Sequence, residues 1–176
     1  MVFGPLLDYQ RARREGKSIT QVWGQGQQLV NTSLPFGVKI AFWLTNVPYF
    51  LLSALLSAGA EPLIPGGRLT HALAVTCVAI ASTAFHGSAL FLSPTSPWPS
   101  RLLVGDLLFA NGYAIGLATR VGLSRMLYTF GVAVVFLATS ARLKRRGSAV
   151  GYALGHGIWH VLSAAAMWHC LFVAAR

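Results

Sequence analysis

Five long apolar stretches, at about 37–58, 68–93, 101–119, 125–141 and 149–174, constrain this chain more than any other feature of its sequence. The hydrocarbon core of a bilayer is ~30 Å thick, and a helix rises ~1.5 Å per residue, so about 20 apolar residues span it. A helix is also the form in which such a stretch satisfies its own backbone N–H and C=O groups in lipid. The fourth stretch, of about 17 residues, is just long enough, and Arg125 and Arg142 flank it where they can snorkel to the two interfaces. Helix breakers stand between the stretches, in "EPLIPGG", "SPTSPWPS" and "RLKRRGS".

Only 10% of the 176 residues are charged and 55% are hydrophobic. A soluble domain carries roughly 25% charged residues, and so few charges cannot cover a soluble surface. The expected fold is an all-α integral membrane protein with about five transmembrane helices. Residues 1–34 are different in texture, polar with scattered apolar side chains. They are expected to form an arm lying on the membrane surface or on a partner, while residues 35–176 make the transmembrane domain. The arm has no secretory apolar core and does not read as a signal peptide. Cys77 and Cys170 both fall in apolar segments and are expected to be buried thiols, not a disulfide.

The net charge is +10. Its cations lie in short clusters between apolar runs, a pattern of membrane topology and anionic head groups; nucleic acid is not an expected partner. With five spans, one side holds Arg11, Arg13, Arg14, Lys17, Lys39, Arg101, Arg142, Lys144, Arg145 and Arg146, and the other holds Arg68, Arg120, Arg125 and Arg176. That bias places the N-terminus on the cytoplasmic side, or on the matrix or stromal side of an organelle inner membrane.

Some polar residues fall inside the spans, where each has a cost. Asp106 sits in "LLVGDLLFANGYAIG", and an intramembrane acid points to function. Ser82 and His86, in "STAFH", are four apart and share a helix face; so do His156 and His160, in "HGIWH". Each has an ordinary reading alone: a carboxylate favoured near a helix start, a serine bonded to its own helix, a histidine at an interface. Depth argues otherwise. His86 is near the end of the second span, while Asp106, His156 and His160 are near the starts of the third and fifth. Alternation of the spans brings all four to similar depth on one side, with Ser82 one turn deeper. Three histidines at one level can bind Zn²⁺ and leave a fourth position open. Asp106 and Ser82 would then support the ligands or handle protons. His169 is about half a turn out of phase with His160, and His71 is at the far end of its span; both read as packing or interface histidines.

The ordered set, S-x-x-x-H in "STAFH", an Asp at the start of the next helix and H-x-x-x-H on the last, resembles the CREST superfamily. That group includes alkaline ceramidases, progestin and adipoQ receptors and bacterial hemolysin III proteins; the local texture is closest to the hemolysin III and adipoQ receptor branch. The resemblance covers about half the chain. It implies zinc held by His86, His156 and His160, with the metal activating water for attack on a lipid amide such as ceramide. Asp106 would be the general base, and Ser82 would support the metal or the oxyanion. The family has seven helices, three of them between the Asp helix and the last; here there is room for one, so the fold would be a shortened seven-helix bundle. Two helices fewer keep the last one entering from the same side.

Two functions follow. One is a zinc-dependent hydrolase of lipid amides. The other is a non-catalytic subunit of a larger membrane assembly, such as an energy-converting complex of an organelle. The missing helices would bare the flank between the third and last spans, to be covered by membrane lipid, another subunit or a second copy. Gly112, Gly116 and Gly151 are the expected points of close approach.

Overall fold

The computed structural model describes residues 10, 12–16, 30–93 and 95–173. Most of the arm expected at 1–34 lies outside them. Its last residues belong to the bundle: Val30 and Leu34 are buried in an apolar cluster with Phe42, Leu90 and Tyr152. The Asn31 side-chain amide donates to the Leu92 and Ala89 carbonyls.

Six helices follow: α1 (Phe36–Leu44), α2 (Val47–Ser57), α3 (Arg68–Phe91), α4 (Trp98–Val121), α5 (Leu123–Arg145) and α6 (Ala149–Phe172). The protein is an all-α membrane protein. Among the described residues, four stretches are long and apolar enough to cross a bilayer: α1 with α2 (22 residues), α3 (24), α4 (24) and α5 (23). The expected fifth stretch also forms a helix, the 24-residue α6. It differs from the other four in that His156, His160 and His169 lower its hydropathy, and it is the most extensively buried of the helices.

Two local features depart from the spans read in the sequence. The first stretch is broken at Thr45–Asn46. Pro48 has no N–H to give the Leu44 carbonyl, and a proline ring crowds the preceding turn. The chain tightens there into three-residue hydrogen bonds, Thr45 N to Phe42 O (3.1 Å), Asn46 N to Trp43 O (3.3 Å) and Tyr49 N to Asn46 O (3.1 Å). The fourth stretch is longer than expected, because α5 continues as helix through Arg142, Lys144 and Arg145, cations that suit a helix C-terminus. At its other end α5 meets α4 through Gly122 alone, at φ 87°, a conformation that favours glycine.

α5 packs along α6, α4 along α3, and α2 along α3; α1 rests on α6 and α3. α4 makes no extensive contact with α6 and buries only Pro99 and Leu117. Among the described residues there are two apolar cores. The larger, toward the Arg68 end of α3, joins Leu52, Leu56, Val75, Leu117, Phe130 and Leu171. The smaller, at the opposite end, is the cluster around Phe42 and Leu90. The polar residues singled out in the sequence lie in the layer between them.

Candidate metal centre

His86 on α3 and His156 and His160 on α6 meet in that layer. Their ring centroids are 5.2 Å (His86–His156), 4.7 Å (His86–His160) and 4.8 Å (His156–His160) apart. One nitrogen from each falls within 4.8 Å of the other two. His86 and His160 are 2% exposed and His156 is partly buried.

The second nitrogens show how each ring is held. His160 Nδ1 is 2.8 Å from Thr45 Oγ1, which the break between α1 and α2 carries to the site. His156 Nδ1 is 3.3 Å from Ser140 Oγ on α5. His86 Nε2 has no hydrogen-bond partner despite being fully buried. A buried imidazole nitrogen is costly to leave unpaired, and the His86 ring stands against two more imidazoles. Phe42 forms the floor: its ring stacks on His160 (5.8 Å, 2°) and meets His86 and His156 edge-on at 5.0 and 5.9 Å.

These residues fit a cation. Three neutral imidazoles are a zinc donor set with an open fourth position.

The helix pattern explains why the histidines converge. The four-residue spacing of His156 and His160 puts both on one face of α6. Glycines on either side of His156 then let two other helices approach that face. A Cβ on Gly155 would stand 3.2 Å from Ser140 Cβ, and one on Gly157 would stand 3.0 Å from Thr45 Cγ2. "GHGIWH" thus combines a ligand pair with the space its supports need.

Asp106 is partly buried on α4, about 12 Å along the helix from Trp98 at the rise per residue. The buried Ser82 side chain hydrogen-bonds to its carboxylate. Ser82 thus has Asp106 as its partner. The rings of Tyr49 and Tyr152 pack at 6.3 Å from His160 and 5.1 Å from His156. Asp106 and His156 retain some surface, and they sit on α4 and α6, the helices that do not close on each other.

His71 and His169 stay outside the cluster, as their positions imply. The buried His71 pins the α2–α3 connection: its Nε2 donates to Pro65 O (3.1 Å), and Nδ1 accepts from Tyr113 Oη (3.0 Å). His169 Nδ1 has no partner. Of the three glycines expected at a partner contact, Gly112 is open and Gly116 meets only Arg120. Gly151 is covered by its own chain, since a Cβ there would stand 2.7 Å from Ser148 Oγ and 3.1 Å from Leu143 Cδ1. Ser148 and Leu143 thus stand over Gly151. The sequence reading did not find Thr45, Ser140 or Phe42; the glycines flanking His156 were the available signal.

No protein-family model, curated protein or solved structure matches the chain.

Proposed function

We propose that His86, His156 and His160 bind one Zn²⁺ and that the chain is a zinc-dependent hydrolase of lipid amides, of the CREST type its motifs resemble. The observation that carries this reading is the convergence of three imidazoles, two buried and one partly buried, with ligand nitrogens within 4.8 Å of one another. When bound, the metal supplies a Lewis acid that polarises a carbonyl and activates water near neutral pH. The chain's own residues do the rest. Asp106 would take the proton of the attacking water, with its carboxylate held by Ser82. Phe42 keeps solvent from the floor. α4 and α6 make no extensive contact with each other, and an amide entering between them would keep its acyl chain in lipid.

The test is metal content followed by turnover. The full chain in lipid nanodiscs should hold about one zinc, and His156→Ala/His160→Ala should hold none, since one histidine cannot make the site. With a long-chain ceramide in the nanodisc, Asp106→Asn should keep the zinc and lose amide cleavage by ~10²-fold or more. Full zinc occupancy in the double variant would sink the assignment.

The bare side of α4 favours a second reading, a non-catalytic subunit whose partner covers Asp106. A chain that keeps its zinc, cleaves no amide and purifies in fixed ratio with other membrane proteins would establish it.

A further inference from the structure

Two hydroxyls on two different helices make the same pair of contacts. Thr45 Oγ1 is 2.6 Å from the Phe42 carbonyl and 2.8 Å from His160 Nδ1. Ser140 Oγ is 2.8 Å from the Leu137 carbonyl and 3.3 Å from His156 Nδ1. A hydroxyl has one proton to give, and a carbonyl oxygen can only accept. The proton of each hydroxyl therefore goes to its carbonyl, and its oxygen must accept from the histidine. Both histidines then carry hydrogen on Nδ1 and a lone pair on Nε2. A neutral imidazole has one N–H, so the choice of tautomer is settled outside the ligand nitrogen.

A hydroxyl bonded back to its own helix is commonplace in an apolar segment. Here, however, each has a second contact, and each contact depends on a glycine. Thr45 reaches His160 across Gly157, and Ser140 reaches His156 across Gly155, at separations a side chain on α6 would not allow. The break forced by Pro48 sets Thr45 at that point.

We propose that Thr45 and Ser140 are positioning residues that hold His160 and His156 in the Nδ1–H tautomer, so that each keeps its Nε2 lone pair free for a metal. This rests on the metal-site reading above. It assigns a task to two residues that touch neither substrate nor ion. Groups that orient a ligating histidine in this way typically change metal affinity 10–100-fold.

The experiment uses the full chain in nanodiscs, stripped by chelator and titrated with Co²⁺ alone, reading affinity and visible absorption. Thr45→Val keeps the shape and loses the acceptor. It should bind Co²⁺ about 10–100-fold more weakly than wild type, with the absorption of three-imidazole ligation reduced. Thr45→Ser restores the acceptor and should restore both. Ser140→Ala should weaken binding independently, and the double variant should be weaker than either single one. The Thr45→Ser rescue separates positioning from loss of packing. Wild-type affinity in Thr45→Val, or equal weakening in Thr45→Val and Thr45→Ser, overturns the positioning role and leaves the metal site standing. A wild-type chain that takes up no Co²⁺ overturns the metal site, and this proposal with it.

Discussion

At the scale of residues, the glycines beside His156 connect stability to the site. Gly157→Ala places a methyl 3.0 Å from Thr45 Cγ2, so either Thr45 or α6 must move. Overpacking of this kind costs about 1–3 kcal/mol, while alanine gains up to about 1 kcal/mol in helix propensity over glycine. The net is a loss of up to ~2 kcal/mol. Metal affinity should fall more noticeably, because the displaced atom belongs to the residue that holds His160. Gly131→Ala is the control: nothing lies within 4 Å of its Cβ, so it should be neutral or slightly stabilising and leave metal affinity unchanged. Paired thermal melts and Co²⁺ titrations would check both, and equal affinities in the two variants would dismiss the coupling. The same residues show what the sequence could disclose. His86, His156 and His160 were legible because imidazole in an apolar run is costly and their depths agree. Thr45 and Ser140 were not, since a hydroxyl in such a run normally bonds to its own helix. Only the close approach of three helices gives these two a second partner.

Among the elements, the α1–α2 break contributes most to the site for its size. Pro48 lies in the first turn of α2, where proline is tolerated, and would cost ~3 kcal/mol or more only if α1 ran through it as one helix. Pro48→Ala should let α1 run into α2, and thermal stability should stay level or rise. The three-residue turn would then relax, Thr45 would swing from His160, and Co²⁺ affinity should drop by about the 10–100-fold expected for the loss of its hydrogen bond. A raised melting temperature with unchanged affinity would mean that the turn is not what places Thr45. The helices themselves were plain in the sequence, because long apolar runs with breakers between them have few other folds in lipid. The break was not, as one proline in such a run is compatible with a continuous, kinked helix. The length of α5 was understated for a different reason: the apolar run ends before the helix does, and arginine and lysine finish it.

For the whole molecule, the charge asymmetry seen in the sequence maps onto the two ends of the bundle. Lys39, Arg101, Arg142, Lys144, Arg145 and Arg146 cluster at the end where α1, α4 and α6 begin, the end nearer the metal centre. The opposite end has Arg68, Arg120 and Arg125, and there Arg68 is paired with Glu61 at 3.1 Å. Basic residues resist translocation, so the richer end should face the cytoplasm, matrix or stroma. The histidines would then open toward that leaflet. Two exposed positions at opposite ends can test it with little disturbance: Thr95 in the α3–α4 connection and Ser57 at the end of α2. A membrane-impermeant maleimide added outside intact cells or organelles should label Ser57→Cys, and Thr95→Cys only after the membrane is opened. The native thiols should contribute little background, since Cys170 is buried and Cys77 lies within α3. The reverse pattern would refute the orientation drawn from charge. Labelling of both from one side would mean that α3, the helix between them, does not cross the bilayer.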